Sequence, residues 1–191
     1  MQEFDGFDWS NATADEQLAM ARTGSDQELR GLARNYDWGL HPEKVLGWVM
    51  AQKCIDLGTA LTAFLNGGPE RFNYLPKRQV PEQHRGAARV LDNICLRVNS
   101  GFYLVYPKLD VCSRTRIANW VAFQKADRQE GRSGRWILDE TILENLLQDT
   151  LRLDRSALPP ETPPPSFLRE VFAPVLELVA RPRRDSDQVP R

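Results

Sequence analysis

The chain is predicted to be an all-α protein, a compact helical domain of about eight helices with at most one or two short strands. Three observations carry that expectation. Ser/Thr-x-x-Glu capping signals recur near the start, at Thr13-Ala14-Asp15-Glu16 and Ser25-Asp26-Gln27-Glu28. Apolar residues then return at three- and four-residue steps through most later segments, the spacing of one helix face. Clear stops separate the segments: Gly24, Asn66-Gly67-Gly68-Pro69 and Ser100-Gly101.

Residues 1–12 have no period and read as an acidic flexible arm, in which Phe4, Phe7 and Trp9 are anchors toward the core or a partner. The helical domain spans 13–157. Its first helix runs from the Thr13 box to about Arg22, and its second places Leu29, Leu32 and Ala33 on one face. Asn35-Tyr36-Asp37-Trp38-Gly39 is a polar-aromatic turn that ends it. Pro42 suits the first turn of a third helix, with Val45, Leu46, Val49 and Met50 as its buried stripe. Asp56 is then an N-cap for a fourth helix turning Leu57, Ala60, Leu61 and Phe64 inward.

The helix from about Glu82 to Asn99 has the clearest period, with Ala87, Val90, Leu91, Ile94, Cys95 and Val98 in step. Phe102–Tyr106 reads as either a strand or a buried connection. Ser113 caps a helix carrying Ile117, Trp120 and Val121 that fades into the polar run from Asp127 to Gly134. Asp139 caps another bearing Ile142, Leu143, Leu146 and Leu147. A proline-rich linker at 158–165 precedes an eighth helix at 166–180, kinked at Pro174, and a disordered tail at 181–191.

The turn Asn35-Tyr36-Asp37-Trp38, the Pro-led apolar helix, Lys53-Cys54, then Asp56-Leu57-Gly58-Thr59-Ala60-Leu61 and Phe64 form one combination. It resembles the bacterial family catalogued as domain of unknown function 4274 over about residues 28–75, with Ile55 set between the Cys and the Asp. The resemblance implies a small helical fold and a bacterial source, and no particular chemistry. Read physically, the motif is a helix start: Asp56 caps, Thr59 answers it, and the small residues Gly58 and Ala60 admit a large ring such as Trp38 or Tyr36.

Composition narrows the function classes. The hydrophobic fraction of 41% against 27% charged is that of an ordinary globular chain. No apolar run is long enough for a membrane span, and the acidic start lacks the pattern of a signal peptide, so a cytoplasmic location without membrane association is expected. Three scattered cysteines make neither a disulfide framework nor a zinc site; Cys54 and Cys95 read as core residues on helical faces. His41 and His84 sit in turn and helix-start settings without a nucleophile beside them. No metal-ligand spacing, cofactor motif or phosphate loop is present, so neither metal nor cofactor is expected and no residue is assigned a catalytic role.

The formal net charge of −1 is unevenly spread: the first seventy residues are acidic, the next sixty-five basic and the remainder mildly acidic. The favoured reading is a non-enzymatic protein-binding chain, immunity-like or adaptor-like, whose acidic aromatic arm (Glu3, Asp5, Asp8, Trp9, Asp15 and Glu16) meets a protein partner and would steer a basic one. A second reading is a small ligand-binding or hydrolase domain with its pocket at Asn35, Tyr36, Trp38, Asp56 and Thr59. A third is a nucleic-acid-associated protein using Arg114, Arg116, Arg128, Arg132 and Arg135, with Lys77, Arg78, Arg85 and Arg89 upstream, should these converge on one face. Complementary packing within one domain would account for the same charge pattern without any partner.

Overall fold

The computed structural model describes residues 4–106, 112–144 and 146–147. They contain seven α-helical segments and no strand. The printed helices are α1 (Ala14–Ala21), α2 (Asp26–Asn35), α3 (Val45–Val49), α4 (Leu57–Asn66), α5 (Glu82–Asn99) and α6 (Arg114–Gln129), and helix returns at 140–144 and 146–147. The expected linker, eighth helix and tail lie outside the described residues.

Both capping boxes form. Thr13 and Ser25 accept from the amides of Glu16 and Glu28, whose carboxylates reach back to the amides of Thr13 and Ser25. These reciprocal bonds satisfy amides that the first helical turn leaves open, which is why α1 and α2 begin where they do. Asp56 caps α4 through Thr59, Ser113 caps α6 through Arg116, and Asp139 accepts from the Thr141 amide.

α4 is the centre of the fold. Leu57 through Leu61, Ala63 and Phe64 are all buried, and the helix packs against α2 on one side and α5 on the other, while α1 packs against α3. The core continues through Val45, Leu46, Val49 and Met50, then Val90, Leu91, Ile94 and Val98, and ends on Ile117, Trp120, Trp136, Leu138 and Leu143. Phe64 meets Trp120 edge-on, with ring centroids 5.3 Å apart.

Four expectations are corrected. Pro42-Glu43-Lys44 is a turn, and α3 is shorter than expected because the Gly47 amide bonds to the Pro42 carbonyl, a wider loop than the α register. Cys54 sits in the turn before α4, half-buried, rather than on a helical core face. On α5 it is Ala88, not Ala87, that is fully buried. α6 continues through Gln129, because Gln124 and Asp127 are buried with partners of their own. Gln124 exchanges two hydrogen bonds with the Leu138 backbone, and Asp127 accepts from the Tyr74 hydroxyl.

Phe102–Tyr106 is a connection. It crosses the ends of α3 and α4: the Tyr103 hydroxyl donates to the Met50 carbonyl at 3.0 Å, and the Leu57 amide donates to the Leu104 carbonyl at 2.9 Å. Residues 4–12 open with a single 3-10 turn, and Phe4 and Trp9 pack against the core.

Candidate functional site

The polar-aromatic turn after α2 separates two adjoining clefts. One, with a volume of about 780 Å³, is lined by Phe4, Asp5, Trp9, Glu28, Tyr36 and Asp37 among others. The second, about 610 Å³, continues past Trp38 to Asn66, Arg71, Phe72 and His84. Arg34, Asn35, Tyr36 and Asp37 border both.

Of the five residues of the expected ligand pocket, Asn35, Tyr36 and Trp38 come together along the second cleft, whereas Asp56 and Thr59 line neither. Both are buried under α2. Asp56 Oδ1 accepts from the Thr59 amide at 2.9 Å, Oδ2 accepts from Thr59 Oγ1 at 2.7 Å, and Thr59 Oγ1 accepts from Arg34 Nη1 at 3.1 Å. The chain of bonds links a helix cap to a cleft-lining guanidinium. A catalytic reading of Asp56 has no geometry to rest on, because its oxygens face the helix start.

Tyr36 is a strut. Its hydroxyl donates to Gln17 Oε1 at 2.5 Å and accepts from the His41 amide at 3.1 Å. Burial pushes its phenol up to about 12, the nearby Asp37 charge adding to the effect and the His41 bond opposing it. Gln17, fully buried, in turn donates to the carbonyls of Trp9 and Ala12, so α1 holds both the turn and the N-terminal segment. Sequence reasoning missed Gln17; its position on the inward face of α1 was the only signal. Asn35 is exposed and its amide donates to the Gly31 carbonyl. Trp38 rests on Gly67 at the end of α4, where a Cβ would meet the ring at 2.8 Å and Leu91 at 2.9 Å. The glycine that admits the ring is thus Gly67.

The acidic residues of the N-terminal segment hold local structure and keep their charge. Asp8 accepts from Ser10 and Asn11, Glu16 from Thr13, and Asp15 pairs with Lys44 at 2.5 Å. Each carboxyl is held below its ordinary value, by Asn11, Thr13 and Lys44 respectively, with Glu28 lowered in the same way by Ser25. Asp5 is exposed at the cleft edge, Trp9 packs inward beside Phe4 and Phe7, and Glu3 lies outside the described residues.

The arginines expected to follow a phosphate backbone do not form one free stripe. Arg128 pairs with Glu140, Arg132 with Asp127 and Glu130, and Arg116 donates to Asn66 Oδ1. Arg135 makes a two-pronged contact to Asp92, at 2.9 and 2.7 Å. Arg114 opens α6. Arg89, Lys125, Arg128 and Arg135 are paired with carboxylates 12 to 46 residues away in sequence.

Among the described residues no group of three His, Cys, Asp or Glu side chains could hold a metal ion, and no helix is long and apolar enough to cross a membrane. Cys95 is buried, which drives its thiol up to about 11, and Cys54 is raised chiefly by burial as well. Neither is poised as a nucleophile at neutral pH. His84 stacks on Phe72 with centroids 5.1 Å apart.

No family model matches the chain, and no curated protein or solved structure matches it. The resemblance drawn over residues 28–75 gains no support from these comparisons.

Proposed function

We propose that this is a non-enzymatic protein-binding chain, immunity-like or adaptor-like, that recognises a basic partner through the acidic cleft between the N-terminal segment and α2. The observation that carries the reading is the lining of that cleft. Asp5, Glu28 and Asp37 face it with Phe4, Trp9 and Tyr36, and Arg34 is the one cation among the described residues that line it. Carboxylates around rigid aromatic rings suit a Lys- or Arg-bearing surface, since the charges speed encounter and the rings supply contact area. Of these carboxyl groups, that of Glu28 is held below its ordinary value by its hydrogen bonds from Ser25, which favours its charged form. The free thiols of Cys54 and Cys95 fit a reducing compartment such as a bacterial cytoplasm.

The test is affinity copurification of the intact chain from its own host, followed by Asp5→Lys. Asp5 is exposed at the cleft rim, so its reversal should leave the fold intact while weakening capture of a basic partner about tenfold or more and reducing the salt dependence of association. Equal capture by the wild type and Asp5→Lys would reject this face.

A further inference from the structure

On a face that shares no lining residue with the acidic cleft, five cationic side chains converge on one concavity. Lys77 and Arg78 come from the single 3-10 turn at Lys77–Gln79, Arg85 and Arg89 from α5, and Arg135 from the loop after α6. Val80 and Ala88, each 2% exposed, also line it, and its volume is about 370 Å³. Arg85 and Arg89 are one helical turn apart, so both lie on the same side of α5.

The carboxylates in contact with this group are fewer than its cations. Asp92 takes Arg135 in two bonds and lies 3.7 Å from Lys77, and Glu43 takes Arg89 at 2.6 Å. Arg85 uses only its Nε, toward the Val80 carbonyl at 3.3 Å, which leaves the fork of its guanidinium for another acceptor. Arg78 is exposed, and Arg135 Nη1 is buried without a hydrogen-bond partner. Among the described residues, five cations against two carboxylates leave an excess of positive charge in a concave site. Unlike charges attract, so a further anion placed among them would be drawn in.

We propose that this concavity binds a small ligand carrying a phosphate ester or diphosphate group. Arg78 and Arg85 make the direct charge-assisted bonds, and Arg89, Lys77 and Arg135 supply the surrounding field. The volume falls in the range of small-molecule sites, roughly 300–1,000 Å³. The shape favours a small ligand over a nucleic-acid backbone. A backbone needs a track of cations, and Arg116, Arg128 and Arg132, which would extend one, line other surfaces and have partners there.

Isothermal titration with inorganic pyrophosphate, with inorganic phosphate and a short DNA duplex as separate arms, tests the site on the full chain. Saturable one-to-one binding of pyrophosphate is expected, weakening as salt rises. Arg78→Ser combined with Arg85→Gln should reduce it about tenfold or more, whereas Lys53→Gln, at an exposed position elsewhere, should leave it unchanged. Circular dichroism of the double variant, expected to match the wild type, separates loss of the site from loss of the fold. No saturable pyrophosphate binding up to about 10 mM would overturn the proposal. So would an equal loss in Lys53→Gln, or binding of the duplex alone. Because Asp5→Lys does not touch this pocket, failure here leaves the acidic-face reading standing, and the reverse holds too.

Discussion

At Asp56 one carboxylate serves two donors of a single residue, and that sharing decides how substitutions there behave. Asn keeps an acceptor for the Thr59 amide but presents an NH₂ where Oδ2 had accepted the Thr59 hydroxyl. Thr59 Oγ1 already receives Arg34, so its own hydrogen is then left without an acceptor. Asp56→Ala removes the cap entirely and should cost about 0.5–2 kcal/mol, with Asp56→Asn costing less; denaturant midpoints at constant slope would show the order. A larger loss in Asn than in Ala would contradict the cap. Gly67→Ala should be more disruptive than an ordinary helix-end alanine, because the added carbon meets both Trp38 and Leu91. Overpacking of this kind costs about 1–3 kcal/mol, and a blue or red shift of the tryptophan emission should accompany it.

At the scale of the element, α4 is buried along most of its length, and the capping boxes of α1 and α2 give stability a pH dependence. Leu61 and Phe64 are 1% and 0% exposed, so Leu61→Ala and Phe64→Ala should each cost about 2–5 kcal/mol; a loss under about 1 kcal/mol at both would move α4 out of the core. The caps of α1 and α2 act on pH in a defined direction. Glu16 and Glu28 have folded values below their ordinary 4.5. The unfolded chain therefore takes up protons first, and the stabilisation is complete above that value and is lost as pH falls through the lowered ones. Tyr36 works from the other side: with its phenol raised to about 12, its contribution is complete below the ordinary value of 10.0 and is lost as pH rises beyond it. Melting temperatures should thus fall at both ends, and Tyr36→Phe should remove part of the alkaline limb. These elements were largely legible in the sequence, because capping boxes, Asp56 and the α5 stripe are local signals. The break at Pro42 was not legible, since it depends on which carbonyl the Gly47 amide finds.

For the molecule as a whole, part of the uneven charge of the sequence resolves into long-range pairs. Arg135 meets Asp92 and Arg89 meets Glu43 across the fold, and no spacing rule connects residues so far apart. The same limit hid Trp136, the largest fully buried side chain, which also donates to Asp92. It follows a polar run that reads as solvated loop, and only the apolar Trp136-Ile137-Leu138 triplet hinted at it. Within the expected pocket, the turn's exposure was foreseeable from its polarity. The burial of Asp56 was not, because a cap and a cleft-facing acid look alike in one dimension. The pairs should differ in worth. Asp92→Ala strips partners from Arg135 and the Trp136 indole, where both ion-pair side chains are under a third exposed, and should be clearly destabilising. Glu43→Ala, at an exposed pair, should change stability by about 0–1 kcal/mol. Similar losses in both variants would mean that burial does not set the value of these contacts.

The connection over Phe102–Tyr106 also bears on the order in which the chain can be finished during synthesis. The first amide of α4 and the carbonyl that ends α3 wait for partners about fifty residues downstream. Until Tyr103 and Leu104 have left the ribosome, the central helix keeps its Asp56 cap, but its first amide is unpaired and its apolar face is only partly covered. The motif at 35–64 is thus made early but locked late. A translational pause that keeps residues 103 and 104 within the ribosome would prolong a state in which that amide and that carbonyl are unpaired and apolar surface is exposed, which favours aggregation.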